Sequence, residues 1–509
     1  MVVRRAALAF LVAVVLTVSG CVSPTTHWGS PTSASGNAAP AAGTVHWRPC
    51  PDVAKEALGR TPDNVTYDCG MVSVPRDWAK PADGKRFDVA LLRARATHQT
   101  NRIGSLLVDP GGPGGSGVDL AAYLSVGLPA EITQRFDVVG FDPRGVGRSD
   151  QIKCFSDADL DASFGADPDP VSQAAFDQSV ALSRKMAQSC GSKYGDTLPL
   201  FSTEQAARDM DAIRAALGEQ KLTYLGYSYG TLLGAVYAQL FPTRVRALVL
   251  DGAIDPTLDS VASAESQAKG FEHAFDNFAA WCRDNAAKCP IGPDARATVN
   301  SVMDAARRSP VTGSGGRAAT AGWIQTAVVA SLYSQEQWSQ LALAIDGLRK
   351  GNAAGVLRLA DSYAERDARG RYSNLFDANA VVNCTDDANT PSVERLRALQ
   401  ADWRQKYPMF GPSSALNLIC AQWPAKRDPY PAGAAKGAPP VLVVGTTGDP
   451  ATPYEQTPKL ANMLGVGTVL TWEGEGHTAY PQTRCVTSAV NRYLVDLTVP
   501  AKGTTCPAQ

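Results

Sequence analysis

Short continuous apolar runs, each ending in a turn, recur along the chain and alternate with stretches whose apolar residues return every three or four positions. The runs are 105–109 (SLLVD), 136–142 (FDVVGFD), 222–227 (LTYLGY), 246–251 (RALVLD), 440–445 (PVLVVG) and 468–472 (TVLTW). Strands with no polar face are buried on both sides, so the series predicts an α/β architecture with a doubly wound, mostly parallel sheet. Ahead of it, 64–75 and 86–96 alternate apolar and polar positions, as the strands of an antiparallel hairpin do. Between the runs ending at Asp251 and Gly445, residues 257–436 carry no comparable strand. Helical spacing there covers 271–281, 323–333, 338–348 and 393–403. This predicts a helical lid inserted over the carboxyl edge of the sheet, where ligands of open α/β sheets bind. A smaller excursion, 151–200, is expected to join the same roof.

The third run leads into Gly226-Tyr227-Ser228-Tyr229-Gly230 and at once into an apolar helical stretch, 232–236. A serine between strand and helix in G-x-S-x-G is a nucleophile elbow, with glycines where the two backbones approach too closely for a Cβ. The helix that follows Ser228 points its dipole at negative charge developing on a substrate. A serine hydroxyl is a poor nucleophile until a base, oriented by an acid, takes its proton. Of the five histidines, His27 precedes the predicted sheet domain, His46 and His98 belong to its first segment, and His273 lies on a predicted helix of the insertion. That leaves His477, just after the last apolar run. Asp449, in Gly448-Asp449-Pro450 after the run before it, completes the chain order serine, acid, histidine. Glu473 and Glu475 are too close to His477 to sit on a separate loop. Thr452 is placed to hydrogen-bond the Asp449 carboxylate. The oxyanion hole is expected from the N–H groups of Tyr229 and of Gly112, in the glycine-rich loop after the first apolar run. That loop carries neither dinucleotide nor P-loop spacing, so it does not indicate a phosphate cradle.

Composition adds bounds. A chain of 509 residues, 44% hydrophobic and 19% charged, has a sizeable core and room for one large domain with an insertion. A net charge of -1 gives no electrostatic case for nucleic acid or for an anionic membrane surface. No spacing calls for a metal or an organic cofactor. At the N-terminus, Arg4 and Arg5 precede an apolar segment, 6–18, too short to span a bilayer, and Val18-Ser19-Gly20-Cys21 resembles a bacterial lipobox. Cys21 is then the expected lipidation site, a membrane anchor; an ordinary cleaved signal peptide is the alternative. The expected division is 1–21 signal peptide, 22–44 tether rich in Ser, Pro, Ala and Gly, 45–256 first part of the sheet core, 257–436 lid, and 437–509 the remaining core. The protein is expected to be exported and held at the cell envelope. Ten further cysteines, an even number in an exported chain, argue for disulfides. Pairing by sequence neighbours is the simplest scheme: Cys50–Cys69, Cys154–Cys190, Cys282–Cys289, Cys384–Cys420 and Cys485–Cys506.

Several stretches together resemble the tripeptidyl aminopeptidase and proline iminopeptidase branch of the α/β-hydrolases, of the exported actinobacterial, carboxylesterase A-like type. They are GGPGGSG (111–117), FDVVGFDPRGVGRSD (136–150), YLGYSYGTLLGAVYAQLFP (224–242), LVLDGAIDP (248–256), VVNCTDD (381–387), GTTGDPATP (445–453) and GEGHTAY (474–480). Proline iminopeptidases usually carry His before GGPG; Asp109-Pro110 here favours the tripeptidyl side. The resemblance implies a serine peptidase that releases short peptides from the free N-termini of peptides or proteins. Such an enzyme needs a carboxylate under its lid to pair with the substrate ammonium, and Asp386, Asp387 and Glu204 are the candidates. The same triad would serve a carboxylesterase, a lipase or an envelope endopeptidase. A non-catalytic binding lipoprotein on this fold would be expected to lack a triad member, and none is missing.

Overall fold

The computed structural model describes residues 44–508; Cys21 and residues 22–43 of the expected tether lie outside the described residues. Ten strands form one sheet: β1 (Arg48–Pro49), β2 (Val65–Pro75), β3 (Arg86–Ala96), β4 (Gly104–Asp109), β5 (Phe136–Phe141), β6 (Leu222–Tyr227), β7 (Val245–Asp251), β8 (Val441–Gly448), β9 (Gly467–Glu475) and β10 (Thr504–Cys506). Their spatial order is β1-β2-β3-β5-β4-β6-β7-β8-β9-β10. Pairing is antiparallel from β1 to β5 and parallel from β5 to β10. The predicted hairpin is thus the antiparallel edge of a parallel sheet.

Every residue of β4, β5 and β6 is buried, which is why each reads as an unbroken apolar run. Alternate residues feed two cores, one per face. Leu106, Val108, Leu225 and Val249 join the helices Gly117–Gly127 and Arg484–Asp496 through Leu120, Leu124, Val490 and Leu494. Leu107, Tyr224, Leu248 and Leu250 face Met210, Ile213, Leu233 and Val236, on the helices Thr203–Ala216 and Tyr229–Leu240.

After β7 the chain leaves the sheet and returns only at β8. Between them lie long helices, among them Ser260–Asp284, Ala321–Leu332, Trp338–Arg349, Leu375–Asp386 and Val393–Lys406. Among the described residues the insertion contains only a two-residue strand pair, Val311–Thr312 with Ala318–Ala319. The shorter excursion packs against it: Phe164 stacks on Trp323 with centroids 5.5 Å apart and meets Phe376 edge-on at 4.8 Å. Five disulfides join the ten described cysteines in sequence-neighbour order. No described helix is long and apolar enough to cross a membrane.

The Asp-Pro-Arg-Gly run after β5 has a structural use. The buried Arg144 guanidinium donates to both oxygens of Asp209 at 2.7 and 2.6 Å and to the carbonyls of Pro75, Arg76 and Leu200. A buried ion pair is tolerable only with its donors satisfied, and this one ties the hairpin to the helix carrying Asp209.

Candidate active site

β6 ends at Tyr227 and the next helix starts at Tyr229, so Ser228 alone makes the turn. Its φ of 55° and ψ of −122° lie where L side chains are strained. The surroundings hold it there. Its N–H donates to the Asp251 carbonyl (2.9 Å), and its own carbonyl accepts from the Thr231 N–H (2.8 Å) and hydroxyl (2.7 Å). A Cβ on Gly226 would stand 2.4 Å from the Gly230 carbonyl oxygen, and one on Gly230 would stand 2.9 Å from Asp109 Oδ1. Neither position tolerates a larger residue, as the elbow requires.

β8 and β9 carry the partners on the same sheet edge. His477 Nδ1 is 2.9 Å from both oxygens of Asp449. The Asp449 carboxylate also accepts from the N–H groups of Ala451 and Thr452 at 2.9 Å, the Thr452 hydroxyl at 3.1 Å and the Thr478 N–H at 3.2 Å. An acceptor so encircled cannot swing away, and it fixes the ring with Nδ1 as donor. Burial pushes the His477 imidazolium down, but the charge and hydrogen bond of Asp449, aided by the charge of Asp251, outweigh it and leave the pKa above the ordinary histidine value. A Cβ on Gly252, the residue after Asp251, would stand 3.2 Å from His477 Cε1 and 3.1 Å from Thr452 Oγ1. The histidine therefore lies against the backbone that holds Ser228. The ring's side-chain hydrogen bonds run from Nδ1, and the Ser228 hydroxyl has no partner among the described residues. In resting hydrolases such a pair is often long and tightens only when substrate binds.

The helical insertion grips these loops. His477 N–H donates to the Tyr333 carbonyl (2.8 Å), the Tyr333 ring meets His477 edge-on at 5.2 Å, and Ser334 bridges to Gly476. Asn277 donates to Glu475 Oε1 at 2.9 Å, and Gln267 to the Ala451 carbonyl at 3.1 Å. Tyr333 was not legible as a site residue, because 144 positions separate it from the histidine it touches.

Gly111 and Gly112 have φ of 89° and 111°, and a Cβ on Gly111 would lie 2.7 Å from the Tyr229 nitrogen. The glycine loop is thus laid against the elbow. Among the described residues the amides of Gly112 and Tyr229 have no acceptor, which leaves both available to an oxyanion.

The three candidate carboxylates part company. Asp386 accepts from the Thr203 N–H (2.9 Å) and hydroxyl (2.5 Å), and that hydroxyl is 2.6 Å from the Tyr229 hydroxyl. Thr203 has one hydroxyl proton, which it gives to Asp386, so Tyr229 donates to Thr203. Asp386 is thereby linked to the residue after Ser228. It has no cationic partner among the described residues, and burial pushes its pKa up to about 7 against the two Thr203 hydrogen bonds. Glu204 instead pairs with Arg208 on its own helix, and Asp387 accepts from the Asn389 N–H and the Thr390 hydroxyl. The structure brings neither to the serine.

A strained serine lifted off a strand end, with a histidine–aspartate pair on the loops of the two strands beyond its neighbour, is the groundwork of a serine hydrolase. Residues 104–482 match the alpha/beta hydrolase fold family, and the chain belongs to it. The chain is 38% identical over 488 residues to serine protease Hip1 of Mycobacterium tuberculosis, covering 91% of each. It is 39% identical over 475 residues to carboxylesterase B of the same species, covering 90% of this chain and 89% of that one. With the tripeptidyl aminopeptidase of Streptomyces lividans it shares 35% over 466 residues, 86% of this chain and 83% of the relative. The protein is a serine hydrolase related to actinobacterial serine peptidases, as the sequence motifs implied. Among the described residues, no group of three or more His, Cys, Asp or Glu is arranged to hold a metal ion.

Proposed function

We propose that the protein is an exported, lipid-anchored serine exopeptidase that releases short peptides, tripeptides first among them, from free N-termini. Ser228 attacks the scissile carbonyl, His477 takes its proton and returns it to the leaving amine, and Asp449 holds the ring and stabilises the imidazolium. The N–H groups of Gly112 and Tyr229 receive the oxyanion, and Thr452 steadies Asp449. Water then hydrolyses the acyl-enzyme by the same route. The insertion serves as the lid over this chemistry, with the sheet core split into 45–256 and 437–509 on either side of it. Export and anchoring rest on the N-terminal pattern ending at Cys21 and on five disulfides of a kind that form in oxidising compartments.

The observation that carries the exopeptidase reading is Asp386: a carboxylate without a cation among the described residues, tied through Thr203 to the residue beside the nucleophile. A substrate ammonium would supply the missing charge. The similarity to carboxylesterase B favours ester hydrolysis as the second reading. The test compares a free-amine tripeptide p-nitroanilide, its N-acetylated form and a medium-chain p-nitrophenyl ester, with Ser228→Ala as control. Preference for the free amine, lost in the variant, is expected; turnover of the ester alone would leave the esterase reading.

A further inference from the structure

Asp251 ends β7, the strand between the one that delivers the serine and the one that delivers the acid. In register it stands beside Tyr227 on one side and Val444 on the other. Its two ends reach in different directions. The backbone carbonyl accepts the N–H of Ser228 at 2.9 Å. The carboxylate accepts the N–H of Ala479 at 3.0 Å with both oxygens and the N–H of Tyr480 at 2.7 Å. It is fully buried, and no ion pair reaches it among the described residues.

We propose that Asp251 is a positioning residue that sets the distance between Ser228 and His477, by holding the elbow with its main chain and the histidine loop with its side chain. The inference rests on the triad reading above. A buried carboxylate without a counterion is costly, and a fold that needed only to fill this volume would use an apolar or amide side chain. What a carboxylate does here that an amide cannot is present an acceptor at both oxygen positions, one oxygen taking the Ala479 and Tyr480 N–H groups and the other sharing Ala479, with no NH2 turned toward either donor. Those amides lie two and three residues beyond His477, on a loop turned by Thr478 with φ of 69°. The Tyr227 hydroxyl adds a parallel strut to the Tyr480 carbonyl at 3.2 Å. Gly252 completes the arrangement, since the His477 ring lies against its Cα, where a Cβ would stand 3.2 Å from Cε1. Burial pushes the Asp251 carboxyl up to about 7, against the two amide hydrogen bonds, with Asp449 raising it and His477 lowering it. The other titratable groups here are the Tyr227, Tyr333 and Tyr480 phenols, all raised by burial and so neutral in the working range.

The test uses the full chain, with Ser228→Ala as a blank that establishes the nucleophile and Asp449→Asn as one that establishes the acid, both independently of Asp251. Asp251→Asn keeps the shape but turns an NH2 group toward one of the two N–H donors, and it removes a negative charge near His477. A displacement of about 1 Å costs on the order of 100-fold in kcat. The expected result is a kcat loss of about that size at unchanged KM, with the acid limb of the kcat/KM profile moved to lower pH. Asp251→Glu keeps the charge but overreaches the amides, so kcat should fall while the acid limb stays in place. Unchanged kcat in the folded Asn or Glu variant would overturn the inference, as would a lower kcat in Asp251→Asn with the limb unmoved. Failure of both variants to accumulate as folded protein would also overturn it, by assigning Asp251 to stability alone. In each case a wild-type rate that depends on Ser228 and Asp449 would leave the triad standing.

Discussion

Replacing Asp386 by Asn removes a charge while leaving a side chain of the same shape against Thr203. If that charge receives the substrate ammonium, the variant loses one charge-assisted contact in a half-buried setting. Such contacts contribute roughly 1.5 to 3 kcal/mol, and up to about 4 where the partner is left without compensation. At about 1.4 kcal/mol per tenfold, kcat/KM for a free-amine tripeptide p-nitroanilide should fall roughly 10- to 1000-fold. The N-acetylated substrate carries no ammonium, so its rate should change less than threefold. The pH profile adds a sign. Because burial holds the Asp386 carboxyl at about 7, the anion is lost as pH falls through that value. Free-amine turnover in the wild type should decline there, and in Asp386→Asn this component should vanish. The assay is initial rates for both substrates from pH 5 to 9. Equal losses on free and blocked substrates, or no loss on either, would refute the assignment of Asp386.

Asp449→Asn should lower kcat about 10,000-fold on peptide and ester alike, since an amide there no longer fixes Nδ1 as the donor; equal rates by stopped assay would remove Asp449 from the triad. Gly230→Ala places a Cβ 2.9 Å from Asp109 Oδ1 and should abolish Ser228 labelling by a fluorophosphonate while lowering Tm; full labelling would contradict the close approach. The Cys384→Ser, Cys420→Ser double variant opens a loop of 36 residues' separation. It should lose about 4 kcal/mol in denaturant unfolding on the chain-entropy estimate, and unchanged stability would show that the bridge does not constrain the chain.

What was legible in the sequence follows the range of the forces involved. The inner strands of the parallel sheet announced themselves because burial on both faces favours apolar residues, whereas the short edge strand β10, Thr504–Cys506, carries no such run and was not legible. The elbow did so because Gly226 and Gly230 stand at positions where contact between strand and helix forbids a Cβ. His477 followed by elimination and Asp449 by chain order. What stayed hidden depends on contacts between distant segments. Nothing local separates Asp386 from Asp387 or Glu204; only the meeting of helix 375–386 with Thr203 links one of them to the elbow. Asp251 reads as an ordinary strand terminus until its carboxylate is seen on Ala479 and Tyr480. The Asp-Pro-Arg-Gly run carried weight as a family mark, yet Arg144 spends its donors on Asp209 and three carbonyls within the core.

The most direct measurement is the mass spectrum of products from a ten-residue peptide offered with a free and with an acetylated N-terminus, to the wild type and to Ser228→Ala. The expected spectrum shows N-terminal tripeptide and its complementary fragment from the free peptide alone, and none from the variant. Internal cleavage of both peptides, or tripeptide release that persists without Ser228, would contradict a serine exopeptidase.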